Sequence, residues 1–179
     1  ASIDGRSAAA DGSSQWITSA AARADVHLRR AAADAIVVGT GTVLADDPSL
    51  TARLHDGRLA ERQPLRVVVG ERDIPPESRV LSRDCPTLRL RTRNPDEVLR
   101  ALADRTDVLL EGGPTLAGAF LRAGAVDRIL AYAAPILLGG PRTAVDDVGV
   151  TTIADALRWR YDGVEAVGPD VLLSLVPLD

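Results

Sequence analysis

The residues best suited to chemistry lie in one stretch, 107–124, which reads Asp-Val-Leu-Leu-Glu-Gly-Gly-Pro-Thr-Leu-Ala-Gly-Ala-Phe-Leu-Arg-Ala-Gly. Val108, Leu109 and Leu110 form a short apolar run that predicts a strand. Gly112 and Gly113 permit backbone geometry closed to other residues, and Pro114 suits the first turn of a helix that Gly124 can end. A glycine turn opening a helix aims backbone N–H groups outward at the positive end of the helix dipole, which suits a phosphate or pyrophosphate. Glu111 stands at the lip of that turn. Its carboxylate is repelled by an anion, so its natural partner is a hydrogen-bond donor on a second ligand. Such turns also serve as plain connectors, and these residues alone allow both readings.

A second concentration lies in residues 40–53, where small hydroxyls, the adjacent Asp46 and Asp47, and a lone Arg53 follow a short apolar run. This mixture predicts either a ligand-facing loop or an elaborate cap and turn. Arg30 and Arg53 are the candidate anion grips, because the planar guanidinium makes bidentate, charge-assisted bonds to phosphate. The alternative is surface ion pairing with Asp34 and with Asp46 or Asp47. Other chemistries fit poorly. His27 and His55 have no metal-ligand spacing with each other or with Cys85. The zinc-deaminase pattern, His-x-Glu with Pro-Cys-x-x-Cys, is absent, as is a Gly-x-Ser-x-Gly elbow. All 21 basic residues are Arg, so no Walker lysine exists.

Composition sets the bounds. A chain of 179 residues, 46% hydrophobic, suits one domain with a sizeable core. A net charge of −4 argues against a nucleic-acid footprint, and two Trp, two Tyr and one Phe are too few for a stacking platform on single strands. Cys85 is the only cysteine, which leaves no internal disulfide. No apolar run is long enough to span a membrane, so the expectation is a soluble, cytoplasmic protein. The chain has no Met and opens on Ala1-Ser2-Ile3-Asp4-Gly5, already strand-like, so an N-terminal truncation is expected.

The positioning elements follow in order. Residues 1–9 read as a strand broken at Asp4-Gly5. Thr18 or Ser19 caps a helix running to about residue 33, with Arg23, His27 and Arg30 on one cationic face that could be merely solvated. Strands are expected at 34–39, 65–69, 87–91 and 108–110, and a helix starts at Asn94-Pro95. A long apolar strand spans 128–138, a loop with a short helix near Ala154 follows, and 161–167 pairs with 171–176 as a hairpin. The pattern predicts an α/β fold whose mostly parallel sheet, flanked by helices, carries the antiparallel C-terminal hairpin at its edge.

Taken together, Ala1-Ser2-Ile3-Asp4-Gly5-Arg6, Ser14-Gln15-Trp16-Ile17-Thr18, the run from Thr42 to Arg53, Glu111-Gly112-Gly113-Pro114-Thr115-Leu116-Ala117-Gly118 and Val167-Gly168-Pro169-Asp170-Val171 resemble the reductase domain of the bifunctional riboflavin-biosynthesis deaminase-reductase. The resemblance covers essentially the whole chain in order. It implies a dihydrofolate-reductase-like fold and NADPH-dependent reduction of 5-amino-6-(5-phosphoribosylamino)uracil to its ribitylamino counterpart, by hydride transfer that rests on positioning. It implies substrate contacts at Ser14, Arg30, Leu50, Arg53 and Glu111, with the two arginines on the ribose phosphate and Glu111 facing the pyrimidine or sugar; it fixes no catalytic residue, Glu111 being the best candidate to contribute. On the cofactor side it implies Trp16, Thr42, Asp46, Gly113, Pro114, Thr115, Leu116, Ala117, Gly118 and Ala119, and no metal. It also implies a homodimer, a deaminase domain ahead of Ala1, and a site lysine just upstream of it. One departure is local: where relatives often carry Asp-Ser after the 65–69 strand, this chain has Gly70-Glu71, and Arg72 rather than Glu71 would suit a 2′-phosphate. The alternatives are a reductase of the non-deaminated pyrimidine or of a pterin or folate, and a non-catalytic nucleotide-binding or dimerisation module. Arg30 and Arg53 favour a phosphorylated substrate over folate.

Overall fold

Two runs of β-branched residues make the centre of the fold. Ala35–Gly39 (β1) and Leu65–Val69 (β2) are buried on both faces, as the continuous apolar sequences Ala-Ile-Val-Val and Val-Val-Val require. The computed structural model describes residues 1–178, in which β1 pairs in parallel with β2 on one side and with Val108–Leu110 (β4) on the other. Thr87–Leu90 (β3) pairs in parallel with β2, giving a sheet of order β3-β2-β1-β4. The chain therefore steps outward from β1 through β2 to β3, then returns to add β4 on the opposite side of β1. In such open sheets a crevice forms at the carboxyl ends of the strands where the order reverses, here between β1 and β4.

The helices are Ala20–Ala32 (α1), Thr40–Asp46 (α2), Pro95–Ala101 (α3) and Pro114–Arg122 (α4). The starts of α1 and α3 follow the expected capping chemistry. Ser19 Oγ accepts from the Ala22 amide at 3.3 Å, and Asn94 Oδ1 accepts from the Asp96 amide at 2.9 Å with Pro95 in the first turn. Gly124 closes the turn after α4 at φ 65°, its amide donating to Leu121 O. The chain divides into two compact units, one of residues 24–117 and the other of residues 1–23 with the chain from 118 onward. The core of the 24–117 unit joins Ile36, Val38, Val43, Leu50, Val68, Ile74 and Val80, with Leu81 and Leu109 packed against them.

Residues 40–53 differ from a simple loop. The first half is α2, which buries Val43 and ends at Asp47 in the left-handed region, φ 40°, its amide donating to Val43 O. Asp tolerates that conformation, and Pro48 bars further helix. The second half turns inward: Leu50 takes φ 50° and is 3% exposed, and Thr51 and Ala52 are buried.

In the other unit, Ile129–Ala133 (β5), Trp159–Val167 (β6) and Asp170–Pro177 (β7) form an antiparallel sheet of order β5-β7-β6. The C-terminal hairpin is present across Gly168-Pro169 and lies in this sheet, separate from the parallel one. The strand foreseen at 128–138 stops at Ala133, because Pro135 has no N–H to continue a ladder. Beyond it, Ala134 bridges Ser2, and the first residues form only isolated bridges, Ser2 to Ala134 and Arg6 to Thr143. The Asp4-Gly5 turn forms as expected, with the Asp4 carboxylate accepting from the Leu138 and Gly139 amides.

Candidate functional site

The crevice between β1 and β4 is lined by glycine for a steric reason. The Glu111 amide donates to Val37 O at 2.9 Å, carrying the ladder one residue past β4. A β-carbon on Gly112 would lie 2.7 Å from Leu116 Cδ2 and 2.9 Å from its Cβ, and one on Gly113 would lie 3.1 Å from Thr42 Oγ1. Gly112 thus lets Leu116 of α4 fold back against the turn, and Gly113 brings the turn close to Thr42 in the first turn of α2. The amides of Leu116 and Ala117 both donate to Gly113 O at 3.1 Å, so α4 winds up directly from the turn. Its N-terminal end faces the crevice mouth with the partial positive charge that suits an anion.

Glu111 finds its donor within the protein. Arg30 Nε donates to Oε1 at 2.7 Å and Nη2 to Oε2 at 2.6 Å, a two-pronged pair in which the side chains are 16% and 20% exposed. Arg30 Nη1 also donates to Thr51 O at 3.2 Å. Most of the guanidinium is thus committed to Glu111 and the backbone, which differs from the free anion grip foreseen for it. The foreseen partner Asp34 instead pairs with Arg62 at 2.5 Å and accepts from the Thr106 and Asp107 amides, bonds that hold its pKa below the usual value.

His27, one turn before Arg30 on α1, shares the same carbonyl, with Nδ1 3.1 Å from Thr51 O. A carbonyl only accepts, so Nδ1 carries the hydrogen and the Nε2 lone pair is left over. Burial, and then the Arg30 charge, push the His27 pKa below its ordinary value, which keeps the ring neutral.

Arg53 stands apart from this pair. Its Nη1 donates to Gly57 O at 2.8 Å, and it lines a polar cavity of about 420 Å³ together with Ser49, Glu77, Arg79, Ser82 and Asp84. Leu50 is buried in the core, so only its strained backbone is available to a ligand. Asp46 is the exposed last residue of α2. The departure at Gly70-Glu71 is resolved locally. Glu71 pairs with Arg93 at 3.1 Å, and the Arg72 guanidinium lies across Gly41, its Nη2 2.7 Å from where a β-carbon would be.

One organising residue was not legible as such. Arg66, in the apolar run of β2, is fully buried with no carboxylate partner among the described residues. Its Nε donates to Thr87 Oγ1, Nη1 to Ser49 O and Ser82 Oγ, and Nη2 to Ser82 O and Cys85 O. It ties the 47–53 segment to the 79–85 turn, at distances of 2.5–3.1 Å. An Arg two residues from a polar loop carries no sequence signal for that role. In the other unit, the Ser14 carbonyl accepts from the Ile17 amide, and Trp16 is 67% exposed with Arg23 over its ring. Gly118 and Ala119 lie on α4. Gly118 is buried, and a β-carbon there would lie 2.7 Å from Asp147 O.

The model of the family described as the RibD C-terminal domain matches residues 1–173. The riboflavin biosynthesis protein RibD of Mycobacterium tuberculosis is 78% identical over 175 residues, which are 98% of this chain and 52% of that protein. Among solved structures, Acinetobacter baumannii RibD, form 1, superposes with a TM-score of 0.87 at 34% identity, covering 99% of this chain and 56% of that one. A Thermotoga maritima structure described as a diaminohydroxyphosphoribosylaminopyrimidine deaminase and 5-amino-6-(5-phosphoribosylamino)uracil reductase gives 0.84 at 25% identity, covering 99% and 54%. The chain spans about half the length of the curated relatives it matches.

Proposed function

The chain belongs to the RibD C-terminal domain family, and from that premise we propose that it catalyses the NADPH-dependent reduction of 5-amino-6-(5-phosphoribosylamino)uracil to 5-amino-6-(5-phosphoribitylamino)uracil in riboflavin biosynthesis. The observation that supports this best is the glycine-lined crevice where the strand order reverses, with the Arg30–Glu111 pair at its lip. A dinucleotide fits these residues. Gly112 and Gly113 let the turn pack closely against Leu116 and Thr42, and the start of α4 offers a pyrophosphate the positive end of a helix.

In this reading Gly113, Pro114, Thr115, Leu116, Ala117, Gly118 and Ala119, with Thr42, Asp46 and Trp16, hold NADPH, which when bound supplies a hydride. The protein's part is orientation. Glu111, fixed in two-pronged contact with Arg30, offers its remaining acceptor capacity to a donor on the pyrimidine or sugar. Arg53 takes the ribose phosphate at the polar cavity with Ser49 and Arg79 beside it, and Ser14 and the Leu50 backbone complete the substrate side. Residues 1–179 make up the reductase domain, and a deaminase domain ahead of Ala1 would supply its substrate. A second copy is proposed to pack on the β5-β7-β6 sheet, where Tyr161 and Val164 stand 64% and 61% exposed. A cytoplasmic location is part of this reading, since its reactants are charged and diffusible.

The test is oxidation of NADPH followed by absorbance, with the deaminated phosphoribosylaminouracil beside its non-deaminated precursor. Turnover of the deaminated compound alone is the expected result. NADPH binding without turnover of either would favour a nucleotide-binding module instead.

A further inference from the structure

Arg23 has no carboxylate partner among the described residues, yet its side chain is held at two points. Nη1 donates to Thr18 O at 2.6 Å, and the guanidinium carbon lies 4.4 Å from the centroid of the Trp16 ring. An indole that is 67% exposed would ordinarily turn freely among rotamers. Here a cation covers one face, an attraction to the ring quadrupole that Lys, with its compact and strongly hydrated charge, reproduces only in part. The mount beneath Arg23 is itself fixed. Ser19 Oγ caps the Ala22 amide, the Ser19 amide donates at 2.8 Å to Oδ2 of Asp170, which is 2% exposed, and a β-carbon on Gly168 would lie 2.9 Å from Ala21 Cβ. The cap, the buried carboxylate and the hairpin turn therefore fix the first turn of α1 from which Arg23 reaches Trp16.

We infer that Arg23 is a positioning residue for cofactor binding: by covering one face of Trp16 and bonding to Thr18, it holds the indole so that the opposite face receives a planar ring of the dinucleotide. This rests on the proposed role of Trp16 in holding NADPH. The ring is thereby oriented before the cofactor arrives, and the ordering of Trp16 is not charged against binding.

The test uses Trp159→Phe as the parent, so that Trp16 alone reports by fluorescence, with Arg23→Ala, Arg23→Lys and Trp16→Ala added singly. Expected for Arg23→Ala is a changed Trp16 emission, and a rise of about two- to fivefold in the NADPH dissociation constant and KM, the equivalent of an exposed cation–π contact. The kcat at saturating NADPH stays within about twofold, because Arg23 touches no reacting atom. Arg23→Lys recovers part of both changes, and Trp16→Ala raises the constant further. An NADPH constant unmoved in Arg23→Ala but raised in Trp16→Ala would overturn the positioning role and leave the cofactor reading standing. Constants unmoved in both would remove Trp16 from the cofactor site and the inference with it. A raised constant with unaltered Trp16 emission would also overturn it, since Arg23 would then act on the cofactor directly.

Discussion

The Arg30–Glu111 pair decides how the site handles charge. Residues 81 positions apart in sequence meet through two hydrogen bonds of 2.7 and 2.6 Å at a site about one-fifth exposed. Removing either partner leaves a poorly solvated charge, whereas removing both leaves none. Arg30→Met and Glu111→Gln should each lower the melting temperature, and the double variant should lose less than the sum. A coupling of roughly 1–3 kcal/mol is expected from a thermodynamic cycle. Strictly additive losses would show that the pair is not a unit. The sequence points Glu111 at a hydrogen-bond donor on a second ligand, because an anion repels a carboxylate, whereas the structure supplies the donor from Arg30. The sequence did not say which of 21 arginines would answer.

At the scale of elements, the β4–α4 turn is held by close approach and the end of α4 by backbone conformation. These make different demands on glycine. Gly112→Ala would drive a β-carbon to 2.7 Å from Leu116 Cδ2. The expected loss is about 1–3 kcal/mol of stability, as for an overpacked core, together with weaker NADPH binding. Gly124→Ala meets no atom within 4 Å but must hold φ 65°, so the expected loss is about 1–2 kcal/mol with NADPH affinity unchanged. Thermal unfolding and nucleotide titration of the two variants separate these causes. Equal effects on NADPH would remove the β4–α4 turn from the cofactor site. The strands were legible because short β-branched runs bounded by polar residues have few other uses, and the caps at Ser19 and Asn94 because hydroxyl and amide side chains there satisfy free amides. The 40–53 segment was not. Its inward turn at Leu50 is tied down by Arg66, a fully buried side chain on β2 that donates to the Ser49 carbonyl.

For the molecule as a whole, pH acts through groups whose protonation differs between the folded and unfolded states. The folded pKa of His27 lies below 6.5, chiefly through burial, so on acidification the unfolded chain takes up a proton before the folded one does. Stability should therefore decline as pH falls below 6.5 and level off once the folded ring is also charged. Asp4 acts lower: hydrogen bonds from Ser2 and the Gly139 amide bring its pKa to about 2 from 3.8, so its contribution is lost between those values. Denaturation midpoints measured between about pH 5 and 7 should show the His27 step, and His27→Gln should abolish it. An unchanged slope in that variant would assign the step to another group.

By itself the sequence determined most of the strands and helices from α1 onward, though not α2 or the end of β5, and with them the glycine turn before α4, the family resemblance and the residue types available for binding. Each of these is local: periodicity, capping and steric freedom are written within a few positions of one another. Tertiary structure decided the partners. Arg30 meets Glu111, Arg66 gathers Ser49, Ser82 and Cys85, and Arg23 covers Trp16, because an arginine's long side chain and five donors fit many acceptors. Only the packing of strands and helices selects which acceptors come within reach.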